Sequence, residues 1–179
     1  MTTFPHRLMG ASVLDVDTYE EVEADRGATT QALVVVLVSS LASGIGASGF
    51  VRDGRPLVEG VFLWSAVSLI GWAAWALLVF EIGGRLLPEP ETSVDVGELM
   101  RTIGFASAPG LLRVFGVIPE IALPVFALTT VWMLVAMVVA VRQALDYRST
   151  VRAVVVCAIG LALALAIVFV FGLVATPLS

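Results

Sequence analysis

Between Glu98 and Glu120 the chain reads ELMRTIGFASAPGLLRVFGVIPE. The stretch is apolar enough to enter a membrane, yet it carries Arg101, Arg113 and the helix-breaking pair Pro109-Gly110. Charges and breakers are costly in hydrocarbon, and where they persist they face a protein-packed or wet interior. The chemistry open to them is charge pairing across a bundle, or the lining of a path for an ion or small solute. At about 100° per residue, Thr102, Pro109, Arg113 and Glu120 fall within about 60° of Glu98 on a helical projection. Met100, Ile103, Leu111, Val114 and Val117 fall elsewhere. Glu98, Thr102, Pro109, Arg113 and Glu120 are thus the candidate intramembrane polar face, with Pro109 kinking the helix that carries it.

Candidate partners for these charges stand at the ends of neighbouring stretches. Glu59 precedes the second long apolar run and Glu81 follows it, with Arg85 and Arg101 within reach of Glu81. Arg113 sits about 10 Å inside Glu120 at helical rise, so its expected partner is Glu59 or Glu120. The alternative is that the long side chain snorkels to the interface.

Catalytic patterns do not accompany this segment. His6 is the only histidine, and neither H-E-x-x-H nor G-x-S-x-G occurs, nor an intramembrane pair of aspartates. The reading is a protein without catalysis, cofactor or metal. GIGASG at Gly44–Gly49 matches a dinucleotide fingerprint in letters only, because it ends an apolar run instead of joining a strand to a helix. Small residues recurring every fourth position suit close helix packing: Ser40 with Gly44, Ser39 with Ser43 and Ala47, and Ala158 with Ala162 and Ala166. Trp64 suits an interfacial belt, while Trp72 and Trp75 are deeper and should pack. Cys157 has no second cysteine to pair with.

The elements that must position these residues follow from composition. The chain is 59% hydrophobic and 14% charged over 179 residues, against about 45–50% and about 25% in a soluble domain. All ten basic residues are Arg, and the net charge is −5. That balance argues against nucleic acid and against a polybasic lipid-binding patch. Runs free of charge at 27–51, 60–80, 121–141 and 153–179 each meet the ~20 residues a spanning helix needs. With residues 99–119 as a further span and the N-terminus inside, the inner side holds seven Arg (7, 26, 85, 101, 142, 148 and 152) and the outer side three (52, 55 and 113). If that stretch did not cross, the count would be five to five. The positive-inside rule therefore favours five spans.

The expected architecture is an all-α integral membrane protein: a five-span helical bundle with its third span kinked at Pro109. The spans fall at about 27–50, 60–82, 99–118, 121–142 and 153–175, after an N-terminal segment 1–26 that is cytoplasmic or interfacial. FPHRLMGASVL reads as a short amphipathic helix in the interface, with Phe4, Leu8, Met9 and Val13 towards lipid. Asp17 followed three residues later by Glu20 has the form of a helix N-cap. The acidic helix after it offers Tyr19, Glu20, Glu21 and Glu23 as a cytoplasmic contact. The first residues lack the basic-then-apolar order of a secretory signal. The acidic, Pro-rich Leu87–Glu98 reads as a cytoplasmic connection.

RTIGFASAPGLLRVFGVIP, followed by an aliphatic span with Trp132, resembles the central signature of the Yip family of Ypt/Rab-interacting membrane proteins. LDVDTYEEVEADRGATTQALVVVLVSSL resembles the lead-in of its prokaryotic members. The resemblance implies a five-span bundle with a cytoplasmic N-terminus, agreeing with the Arg count, which puts the C-terminus outside; the expected location is the plasma membrane of a prokaryote. Eukaryotic relatives act in vesicle traffic and bind prenylated Rab-type GTPases. This sequence lacks their long tail and their DLYGP motif, so GTPase binding is not carried over. The function expected is membrane organisation or scaffolding, with lipid and a cytoplasmic protein as partners. The alternative is a small-solute transporter or channel whose path the polar face lines, for which five spans would call for a homo-oligomer.

Overall fold

The computed structural model of the chain describes residues 2–50, 57–90, 92 and 95–175. Arg52 and Arg55 of the Arg count lie outside the described residues, as do 91, 93 and 94 of the acidic connection and residues 176–179. Among the described residues all regular structure is helical. Helices α1 (Phe4–Ser12) and α2 (Val16–Ala24) precede α3 (Ala28–Ala47) and α4 (Leu57–Glu81). A π turn (Ile82–Leu86) ends α4, and α5 (Val96–Phe105) leads to a 3-10 helix (Ala108–Val117), then α6 (Pro119–Ala144) and α7 (Thr150–Ala175). Among the described residues three helices are long and apolar enough to cross a membrane: α3, Val58–Leu86 and α6.

The signature segment is not one kinked helix. Asp95 caps α5 by accepting the Gly97 N–H at 2.9 Å, and α5 stops at Phe105. The break therefore precedes Pro109 instead of bending at it. Proline has no N–H to give the carbonyl four residues back, and its ring clashes there. That carbonyl belongs to Phe105. The chain resumes in 3-10 form, with the Gly110 N–H donating to the Ser107 carbonyl at 2.9 Å. Glu120, expected on the same face, instead lies in the first turn of α6.

Small residues bring this broken segment against α3. A β-carbon on Gly104 would stand 2.8 Å from that of Ala32, and one on Gly110 would meet the Ser39 hydroxyl. Gly46 lies against the Arg113 carbonyl and Gly49 against that of Gly116. Rising residue numbers on one side match rising numbers on the other, so the two elements run parallel. They stay together from Ala32 to Gly49, about 25 Å at helical rise. Gly44 meets Val61 and Ser65 on the other side, which seats α4. The small-residue stripes of α3 thus serve two neighbours.

The expected stripe on α7 does not behave this way. Ala158, Ala162 and Ala166 are exposed, and α7 packs inward through Ala153, Val156 and Cys157. Of these, Val156 meets the π turn, where the Gly83 backbone also lies close to Leu145 and Tyr147. Tyr147 Oη is 2.8 Å from both the Gly83 and Leu87 carbonyl oxygens, so its proton serves either one.

Helices α1 and α2 form a hairpin through Leu14, which takes a left-handed φ of 66°. The cap of α2 is Asp15, which accepts the Thr18 N–H at 3.2 Å, so the helix starts before the expected Asp17. The amphipathic face of α1 divides. Met9 and Val13 point outward at 70% and 72% exposure. Phe4 and Leu8 turn inward onto the core, Phe4 against Phe105 at 6.4 Å between ring centroids. Trp132 donates from Nε1 to the Ser12 carbonyl at 2.8 Å and anchors the hairpin to α6.

Candidate functional site

The hairpin is locked in place by two buried arginines. Arg7 is 2% exposed. Its guanidinium reaches Glu21 at 2.8 Å, Asp25 at 2.7 Å and the Gln31 side-chain oxygen at 3.2 Å. A buried cation needs paired anions and saturated donors, and this one has both. Hydrogen bonds from Thr2 and Arg7 hold the Glu21 carboxyl down at about 2, and Arg7 lowers Asp25 as well. Arg101, 4% exposed, donates from Nε to the Val22 and Glu23 carbonyls at 3.0 Å and from Nη2 to Glu23 again. It therefore closes the C-terminal end of α2, where unpaired carbonyls and the helix dipole favour a cation. Its expected partner Glu81 pairs with Arg85 instead, at 2.9 Å.

The proposed contact helix is divided by this packing. Tyr19 is 0% exposed and donates to the Ala11 carbonyl at 3.1 Å, which makes it an internal strut and not a contact. Glu21 is taken by Arg7. Glu20 is exposed and accepts from Gln143 Nε2 at 3.1 Å. Glu23 is half-buried, and desolvation raises its carboxyl to about 7, helped by the charges of Asp146, Glu98 and Glu20 and opposed by Arg101.

The second cluster lies where the 3-10 helix meets α3 and α6. Arg113 is not paired with Glu59 or Glu120; both carboxylates are exposed, in the first turns of α4 and α6. Its guanidinium lies among hydroxyls: Thr130 at 2.8 Å, Thr129 at 3.3 Å and Ser43 at 3.4 Å. The Phe126 ring lies below it, 5.2 Å from centroid to Cζ. A cavity of about 300 Å³ opens beside it, walled by Ser39, Ser40, Ser68 and Ser107 and by the apolar Met133 and Met137. Trp72 and Trp75 also line it, and their indole N–H groups are buried without an acceptor among the described residues.

The predicted polar face is therefore not one stripe. Thr102 and Pro109 are buried, and Thr102 Oγ1 turns back to the Glu98 and Leu99 carbonyls at 3.1 Å. Glu98 is half-buried near Glu23, at the hairpin end. Only Arg113 reaches the cavity. Arg7, the serines of the cavity wall and the buried indoles all lie outside the predicted polar face. Glu21 and Asp25, four residues apart, were a signal that something basic must face that side of α2. Among the described residues no group of three His, Cys, Asp or Glu could hold a metal.

The family model for the Yip1 domain matches residues 13–171, from the hairpin turn through most of α7. The chain belongs to the Yip family. With its apolar helices, that makes it a membrane protein. The Yip1 domain thus takes in both the Arg101 cap on α2 and the Arg113 cavity, whereas Arg7 precedes the match. No curated protein and no solved structure matches the chain.

Proposed function

We propose that this Yip-family chain is a non-catalytic, five-span membrane protein that scaffolds a cytoplasmic partner or organises the membrane around it. The reading places the N-terminus in the cytoplasm and the C-terminus outside, in the plasma membrane of a prokaryote. Two features support the span count: the seven-to-three Arg distribution, and the course of residues 104–116 beside α3, which takes them as deep as a membrane-capable helix.

The observation that carries the scaffold reading is the docked α1–α2 hairpin. Two arginines are buried to fix it on the bundle, and its face exposes Asp15, Asp17 and Glu20, while the hairpin's ion pairs among the described residues are those of Glu21 and Asp25 with Arg7. A rigid acidic surface suits a basic partner and steers its approach. Purification from native membrane should recover a co-purifying protein that is lost on Asp17→Arg with Glu20→Arg. Absence of any partner, together with solute flux in proteoliposomes, would reverse the choice. The rival reading, passage of a small solute, is favoured by one observation: the cavity that reaches Arg113.

A further inference from the structure

We propose that the cavity beside Arg113 is a binding site for an anionic amphiphile, with the oxyanion on the guanidinium and the hydrocarbon against Met133, Leu134 and Met137. The inference does not depend on the scaffold reading.

Charge is the first argument. Arg113 is half-buried, and among the described residues its polar neighbours are the hydroxyls of Ser43, Thr129 and Thr130. Hydroxyls satisfy donors but do not neutralise a cation. A half-buried cation without a counter-charge is costly, and an oxyanion would remove that cost. Arginine's planar fork also fits a phosphate or carboxylate better than any neutral group.

The polar lining is the second. Trp72 and Trp75 line the cavity, with their indole N–H groups closed off from it. Ser39, Ser40, Ser68 and Ser107 add hydroxyls along the same wall. A ligand that answers Arg113 and these hydroxyls carries acceptor oxygens, as a phosphate or carboxylate with ester or carbonyl oxygens beside it does.

Shape separates a lipid from a free anion. The cavity runs from Thr130 to Met137 along α6, about 10 Å at helical rise. Val36, Leu134, Met137 and Leu161 make its deeper part apolar. The Arg113 guanidinium reaches Ser43, in the last turns of α3, while Met133 lies beside Gly110 and Ser39, towards mid-bundle. A head group at Arg113 with a chain running inward follows the orientation of a lipid in the leaflet at that end.

The test uses the purified full chain in neutral detergent and reads tryptophan fluorescence. Phosphatidylglycerol with brominated acyl chains is titrated against phosphatidylcholine with the same chains. Saturable quenching at about tenfold or more lower concentration is expected for the anionic lipid, the factor carried by one charge-assisted hydrogen bond. Arg113→Gln should abolish that preference and Arg113→Lys should retain part of it. Trp72→Phe with Trp75→Phe should remove most of the quenching while leaving Trp64 and Trp132 to report. Inorganic phosphate that displaces the lipid would assign recognition to the oxyanion alone; lipid that resists phosphate would assign it to the amphiphile. Equal quenching by the two lipids, or an unchanged preference in Arg113→Gln, overturns the proposal. If Arg113→Gln does not fold, quenching that survives intact in the double Trp variant overturns it equally.

Discussion

Arg101 belongs to α5, yet its Nε stands 3.0 Å from the carbonyl oxygen of Glu23 and terminates α2. One side chain thereby joins the signature segment to the N-terminal hairpin. Arg101→Met leaves carbonyls without a donor at a buried helix end, which costs about 1–3 kcal/mol. Hydrogen exchange across Val16–Ala24 should rise while exchange in α6 stays unchanged. Arg101→Lys should recover only part, because an ammonium lacks the fork that serves two carbonyls.

Arg7 supports a sharper test. Arg7→Met strands Glu21 and Asp25 facing each other, so the hairpin should open and become sensitive to protease between α2 and α3. Removing the acids as well relieves much of the damage. The triple change Arg7→Met, Glu21→Gln and Asp25→Asn should therefore cost less than the sum of its parts, by about 0.5–3 kcal/mol of coupling. Simple additivity would show that the cluster is not a unit.

Glu23 and Glu21 give the hairpin opposite responses to pH. Glu23 titrates near 7 when folded, against an ordinary 4.5, so the folded chain binds the extra proton between those values. Its contribution is complete below about 4.5 and is lost as pH rises through about 7. Glu21, held near 2, contributes above about 4.5 and loses that contribution as pH falls through about 2. Glu23→Gln should flatten thermal stability between about pH 5 and pH 8 and leave the acid limb in place. An unchanged loss of stability towards alkaline pH would show that another group is responsible.

The glycines separate cleanly by neighbour. Gly46→Ala drives a methyl into the Arg113 carbonyl, and overpacking of this kind costs about 1–3 kcal/mol. Gly60→Ala meets nothing within 4 Å, so helix propensity alone should stabilise α4, by up to about 1 kcal/mol. Unfolding of the two variants in mild detergent should therefore shift in opposite directions.

Double-mutant cycles can establish Arg113's partners. The Thr130 hydroxyl is at 2.8 Å, so Arg113→Leu with Thr130→Val should be non-additive. Arg113→Leu with Glu59→Gln should be additive within about 0.5 kcal/mol.

Much of this was written in the sequence, and the exceptions have physical causes. Long charge-free runs announce α3, α4, α6 and α7 because hydrocarbon tolerates little else. Pro109 announced a disruption, but not its form: the cost falls on the Phe105 carbonyl, and whether the chain bends or ends there depends on what it packs against. Here Gly110 and Gly116 lie hard against α3 and α6, and the tighter 3-10 winding fits. The 100° projection then lost its meaning, and with it the single polar face. Arg7 was illegible for another reason. Its partners are fixed only when α1 folds back on α2, and that turn depends on Leu14 adopting a left-handed conformation that leucine seldom takes. The Arg113 cavity is a property of five elements at once, and no window along the chain contains it.

In the proposed five-span arrangement, the winding of Ala108–Val117 also bears on bilayer thickness. Ten residues cover about 20 Å at 3-10 rise, and only about 15 Å if wound as an α-helix. The segment beside α3 therefore keeps pace with it using fewer residues than a regular helix would need. Its match to hydrocarbon thickness is set by pitch as well as by residue count, and a difference of about 5 Å is comparable to that between thin and thick cellular membranes. Hydropathy scanning, which converts residues to ångströms at one fixed rate, under-measures such a segment.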